Sequence, residues 1–196
     1  MEHNTSVFHI FQRHFISFAN SSVAKLKKVI YFSDGAVSQY ENRFNMMNLL
    51  FHELDFGVPA EWHFFATSHG KGPSDGLGGT LKRLATRASL QGTSIQSPKE
   101  LYDWALKNCN LNVKFVTAAE CMEEKMLLQS RFNEAASIPG IRSMHAAIPS
   151  GIDSIVMKIV SSSSEKCIYK VFSKQRTQKK KQNTEKPSRK SRNTNK

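Results

Sequence analysis

Two aspartates and a histidine between residues 29 and 91 are spaced as ligands of a divalent metal could be. Asp34 follows VIYFS, a short β-branched and aromatic run closed by Asp-Gly. Asp75 comes after a second strand-like run, EWHFFAT, inside the glycine-rich stretch SHGKGPSDGLGG that also holds His69. A carboxylate at a strand tip is a natural ligand for a hard cation, and Gly35 beside it lets the backbone turn closely. Mg²⁺ takes oxygen ligands, usually one or two carboxylates together with substrate phosphates. Paired ions about 3.5–4 Å apart clamp the attacking and leaving oxygens of phosphoryl transfer. Gly70, Gly72, Gly76, Gly78 and Gly79, with Lys71 and Lys82, would let a phosphate backbone approach. Plainer readings of the same residues stand beside this one. Asp-Gly after a strand is an ordinary turn, and Ser74-Asp75 is an ordinary helix N-cap. A nucleotide loop lacks its GxxxxGK[ST] spacing, and His63, His69 and Cys109 lack the local spacing of a zinc site.

The elements around these residues must bring them together. Residues 29–33 read as a strand buried on both faces. Val37, Tyr40, Phe44, Met47, Phe51 and Leu54 then recur at helical spacing until Gly57 and Pro59 stop them. Residues 61–67 are again strand-like, with Trp62, Phe64 and Ala66 alternating against His63 and Phe65. Strand, helix and strand over this length form a βαβ unit, so the two strands are expected to be parallel. That geometry puts Asp34 and residues 68–75 at one sheet edge, outside the carboxyl ends of the strands, where open α/β sheets bind ligands. Leu81, Leu84, Ala85 and Ala88 mark a further helix with Lys82, Arg83 and Arg87 on its polar side. Ser97-Pro98-Lys99-Glu100 is a capping box opening another helix. Residues 113–116 are expected to be a strand and 118–136 a helix, while 144–148, 155–160 and 167–172 resemble a small antiparallel sheet. At the N-terminus, Phe8, Phe11, Phe15 and Phe18 form a helical stripe expected to pack on the core.

Charge is concentrated at the other end. Residues 174–196 hold ten Lys or Arg against Glu185 alone, and so carry +9 of the net +12. Such a polycation, with Lys179, Lys180, Lys181, Arg189, Lys190 and Arg192 at its centre, attracts nucleic acid by counterion release. It also resembles a nuclear localisation patch, and a disordered solvated tail is compatible with both readings. The three cysteines are widely spaced with no CxxC pair, which excludes a disulfide framework or zinc ribbon and fits a reducing compartment. No apolar run approaches the roughly 20 residues that span a bilayer, so no membrane partner is expected.

YFSDGAVSQYENRFN followed by AEWHFFATSHGKGPSDGLGGTLKRLATRASLQ resembles uncharacterised animal proteins related to transposable elements. In these the stretch reads as part of a ribonuclease H-like, DDE-type transposase or integrase core. The resemblance covers residues 27–91 well and 97–160 more loosely. It implies that Asp34 is the second acidic ligand, that Gln39 and Asn42 lie on the following helix, that His69 sits beyond the next strand and that Asp75 is the third acidic residue. Asp34, Asp75 and His69 become the catalytic candidates, with Mg²⁺ or Mn²⁺ on Asp34 and Asp75. Lys71, Lys82, Arg83 and Arg87 join the tail residues as candidates for binding DNA. Two departures stand out. Glu2 is the single acid in residues 1–28, so a first catalytic carboxylate and its strands are not found there, and Glu41 stands where relatives carry a basic residue.

The expected fold is therefore α/β: an N-terminal helix and linker over 1–28, a partial ribonuclease H-like core over 29–96, an α+β extension over 97–172 and a disordered basic tail over 173–196. The expected function is that of a transposase-derived fragment, ancestrally a metal-dependent DNA strand-transfer or cleavage enzyme and catalytically inactive here. A non-catalytic nucleic-acid-binding protein acting through its tail is the alternative. Nuclear localisation follows from either reading, with the cytoplasm as the other possibility. An unpaired sheet edge beside residues 29–33 is expected, partly covered by the N-terminal helix.

Overall fold

The computed structural model describes residues 5–22, 25–33, 42–65 and 73–173. In chain order the elements are α1 (Thr5–Ser22), β1 (Val29–Ser33), α2 (Arg43–Leu50), α3 (His52–Phe56), β2 (Ala60–Phe64), α4 (Pro73–Leu90), α5 (Pro98–Asn108), α6 (Ala118–Asn133), β3 (Ala146–Ser150), β4 (Ser154–Lys158) and β5 (Cys167–Lys170). The class is α/β, as expected.

β1 and β2 pair in parallel, in register from Val29↔Ala60 to Ser33↔Phe64. The βαβ deduction holds because both runs are apolar on the covered face and a helix lies between them. Their carboxyl ends do lie side by side, tied by a bond from the Phe65 amide to the Ser33 carbonyl at 2.9 Å. The three later strands were expected to form a sheet of their own. Instead β3 joins β2 antiparallel, Trp62 opposite Ala147 and His63 opposite Ala146, and the five strands make one mixed sheet in the order β1-β2-β3-β4-β5. The free edge of β2 presents unpaired N–H and C=O groups, and β3 satisfies them.

One face of this sheet is covered and the other is wet. Val29, Trp62, Phe64, Ala147, Ile155 and Met157 point to the covered face and meet Met46, Met47 and Leu49 of α2, with Ile16 of α1 in the same core. Trp62 lies at the centre. Phe8 stacks on it with centroids 4.8 Å apart, and its indole N–H donates to the Ser33 hydroxyl at 2.9 Å. On the opposite face Ile30, Phe32 and Ile168 remain exposed, Phe32 at 59%, although Phe32 stacks against His63 and Phe65.

Several local expectations are corrected. The periodic helix after β1 is broken at Phe51 into α2 and α3, and Asn42 is the N-cap of α2, accepting from the amides of Phe44 and Asn45. Asn45 through Leu49 are all buried, because this part of α2 sits between the sheet and the other helices, while Arg43 at its start is exposed. Gly57, at φ 72°, ends α3 in the left-handed conformation. The phenylalanine stripe of α1 faces outward more than inward: Phe11, Phe15 and Phe18 are each 48% exposed, while Ser6, His9, Ile10, Gln12, Ile16 and Ala19 are buried. Residues 113–116 form no strand, having no ladder partner beside them among the described residues. Gly76, Gly78 and Gly79, expected in a turn, lie inside α4, and Ser74 is within that helix rather than its cap. Pro73 at the first position and Asp75 in the first turn both favour a helix start there. At α5, Ser97 accepts from the Glu100 amide as the box requires, but the Glu100 carboxylate reaches back to the amide of Gln96.

A Cβ added at Gly78 or Gly79 would meet nothing within 4 Å. Glycine costs about 0.5–1 kcal/mol relative to alanine inside a helix. Gly78→Ala and Gly79→Ala are each expected to raise stability by about that amount in urea titrations, whereas a turn at these positions would make both neutral or harmful.

Candidate functional site

The strand-end site is only partly within view. Asp34 follows Ser33 directly and lies outside the described residues, as do Gln39, His69, Lys71 and the tail cations Lys179, Lys180, Lys181, Arg189, Lys190 and Arg192. Asp75 is described: it is exposed in the first turn of α4, where a carboxylate complements the helix dipole. Among the described residues no group of three or more His, Cys, Asp or Glu side chains could hold a metal ion. The zinc reading of His63 gives way to hydrogen bonds, since its ring nitrogens meet the Ser161 hydroxyl at 2.8 Å and Glu61 Oε1 at 3.2 Å.

α4 carries the cationic candidates. Lys82, Arg83 and Arg87 are exposed along it, and the helix meets the rest of the fold chiefly through α5. A helix held this way presents its basic side to solvent without an acidic neighbour on the same turns: from Gly76 to Leu90 the sequence contains no Asp or Glu.

A second polar assembly was not foreseen. Asp55 of α3 and Glu124 of α6 are drawn inside, 16% and 4% exposed, by two arginines and a histidine. His9 of α1, itself 4% exposed, faces Glu124 Oε1 with Nδ1 at 2.5 Å and Asp55 Oδ2 with Nε2 at 3.1 Å. An ionised carboxylate only accepts, so both bonds are complete when the ring carries both protons. Arg131 donates to both oxygens of Asp55 at 2.6 and 2.7 Å and to Asn48 Oδ1 at 3.2 Å. Arg13 donates to both oxygens of Glu124 at 2.6 Å. The Arg131 guanidinium also lies over Phe51, 4.4 Å from its centroid.

Beside this network, His52 donates from Nδ1 to the Val58 carbonyl at 2.7 Å, which leaves Nε2 to accept from the Tyr31 hydroxyl at 2.8 Å. Burial pushes the His52 imidazole below its usual range and the Tyr31 phenol above its own. For Asp55, burial alone would raise the carboxyl, but bonds from His9 and Arg131 and their charge outweigh it and hold it at about 2. His9 and Glu124 are buried while Arg13 reaches the surface, and the bonds among them brace α1, α3 and α6 against one another. The one available signal was the recurrence of Thr5, Ser6, His9 and Gln12 beside Ile16 and Ala19 on one side of the helix.

A third feature is a pocket of about 650 Å³ between α1, α4, α5, the segment 113–116 and α6. It is walled mainly by apolar side chains, and Asp75 is not among the described residues that line it.

The described chain is thus an α/β protein with a five-stranded mixed sheet, six α-helices and a basic helix at its periphery. A family model described as "Domain of unknown function (DUF8701)" matches residues 1–161, and the chain belongs to that family. No curated protein and no solved structure matches it. Among the described residues no helix is long and apolar enough to cross a membrane.

The buried charges give a pH prediction with a defined sign. Both His52 and Asp55 have folded-state values below their ordinary ones of 6.5 and 3.8. The unfolded chain therefore binds more protons on acidification, and stability falls with pH. The His52 share is lost as pH drops below 6.5, and the Asp55 share, on the order of 2 kcal/mol, between 3.8 and about 2. Urea unfolding across this range should show both declines. Glu124→Ala should cost about 1–3 kcal/mol in urea unfolding, since it leaves the buried His9 Nδ1 without its partner.

Proposed function

We propose that this chain is a transposase-derived, ribonuclease H-like fragment that no longer catalyses strand transfer and acts by binding nucleic acid. The observation that carries the reading is the parallel β1–β2 pair, whose carboxyl ends lie side by side immediately before Asp34 and a short way before the helix bearing Asp75. Two carboxylates reaching one sheet edge is the arrangement on which metal-dependent phosphoryl transfer is built. The quoted motif set supports the same ancestry. The unpaired outer edge of β1 among the described residues also accords with it, because a ribonuclease H-like core continues on that side with further strands. Catalysis is left out of the proposal because no first carboxylate is identified beside Asp34 and Asp75, and a two-metal site lacking one ligand fails.

What the residues would do is bind. Lys82, Arg83 and Arg87 along α4, with Lys71 ahead of it, would meet phosphates through charge rather than base reading. The tail cations of residues 174–196 add a sequence-independent attraction, which favours the simpler reading of a nucleic-acid-binding protein working through its tail alone. Nuclear localisation belongs to the same proposal.

Two experiments separate these readings. Mg²⁺ or Mn²⁺ at about five times its dissociation constant should add about 1 kcal/mol of stability through mass action. Asp34→Asn or Asp75→Asn should each abolish that gain, and no gain in the unaltered chain removes the metal-site ancestry. Separately, duplex binding measured against salt is expected to weaken at least about tenfold and to lose much of its slope when residues 174–196 are deleted. The residual binding should fall further in a Lys82→Glu, Arg83→Glu, Arg87→Glu variant. Binding indifferent to that triple change leaves the tail as the sole contact.

A further inference from the structure

The pocket between α1, α4, α5 and α6 has no place in the reading above. Its wall is built from Phe11, Leu81, Leu101, Val113, Phe115 and Met122, joined by smaller neighbours. About 650 Å³ is far larger than the voids tolerated in a close-packed core and lies within the range of small-molecule sites. The space is not sealed, for Phe11 and Met122 remain 48% and 59% exposed. Fifteen described residues line it, fewer than the roughly 20–30 a side that a protein interface occupies. The size argues for a small occupant rather than a folded partner.

Charge narrows the occupant further. Lys114 and Lys125 are both among the lining residues and both exposed, while no acidic residue lines the pocket among the described residues. Lys99 stands close by, 5.9 Å from the centroid of the Phe115 ring, with its charge shared by Asp103. An occupant suited to this site has an apolar body along the wall and an anionic group at the lysines. The tail 174–196 is excluded as occupant because it has the same sign as Lys114 and Lys125 and no large apolar side chain.

We propose that this pocket binds an amphipathic anion of the long-chain carboxylate class, with the acyl chain against Phe11, Leu81 and Met122 and the carboxylate between Lys114 and Lys125. Alkyl chain and anion contribute separately. Burial of each methylene is worth about 0.8 kcal/mol, and an exposed ion pair typically up to about 1 kcal/mol.

Cys121 lies in the pocket wall and supplies the readout. The full chain carrying Cys109→Ser and Cys167→Ser keeps this thiol alone, and its alkylation by iodoacetamide is timed with dodecanoate, dodecanol or dodecyltrimethylammonium, each below its micelle concentration. Dodecanoate is expected to protect Cys121 at the lowest concentration, dodecanol at a concentration about fivefold higher, and the cation least. Lys114→Glu with Lys125→Glu, both surface changes, should leave the circular dichroism spectrum unaltered and reverse the order of dodecanoate and the cation. Equal protection by all three chains, protection by none, or an unchanged order in the charge-reversed protein overturns the proposal. So does a thiol already inert in the ligand-free chain, or one exposed only on dissociation of a dimer in size-exclusion chromatography, since the pocket is then filled by the chain itself or by a second copy. None of these outcomes touches the ancestry of the strand-end site.

Discussion

The carboxylates of Asp55 and Glu124 leave water between the helices of this fold, and everything around them is arranged so that they never do so alone. Transferring an unpaired carboxylate into the interior costs several kcal/mol. Asp55 and Glu124 therefore enter only with Arg131, His9 and Arg13 in attendance. Since these five side chains come from α1, α3 and α6, the requirement fixes how those helices meet. It also turns the polar side of α1 inward and leaves three phenylalanines half in solvent. An apolar substitute of equal volume could serve as well energetically, but it would hold the helices with less directional preference.

The same constraint sets how the sheet is covered. α1 is anchored by its charges, and so Phe8 is brought onto Trp62 and Tyr31 while α2 is enclosed beneath. The enclosed helix then needs no polar side beyond Asn45 and Asn48, and Asn48 is itself recruited by Arg131. The helices that are not part of this anchoring behave differently. α4 and α5 stand off from the sheet, with a roomy apolar space between them and the anchored group.

What was legible in the sequence divides along the same line. β1 and β2 could be read because each is a short apolar run bounded by turn residues, and a helix between them dictates their relative direction. The antiparallel strands were equally clear as runs. That β3 pairs with β2 was not, because the identity of a strand's neighbour is a property of distant residues. α1 was misread for the same reason: the phenylalanine stripe looks like its inner face until Glu124, 115 residues from His9, is placed beside His9 on the other side. The glycines of α4 misled in another way. Their composition signals a turn, yet Pro73, Asp75 and the spacing of Leu77, Leu81 and Leu84 carry the helix through them. Of the candidate site, Asp75 lies in the first turn of α4 and Lys82, Arg83 and Arg87 are exposed further along the same helix, while Asp34 and His69 fall outside the described residues.

The long reach of these pairings bears on how the chain is made. His145 contacts the Phe64 carbonyl from 81 residues away, and α1 waits for a partner farther still. A ribosome adding about 5–20 residues per second needs roughly 6–23 s to bridge the longer gap. Throughout that interval the first two strands and the phenylalanine-bearing helix have emerged without the segments that complete them. Nascent polypeptide in this state exposes sticky backbone and aromatic surface together, and it is the delay, more than any weakness of the finished core, that would make translation speed and chaperone supply govern the yield of native protein.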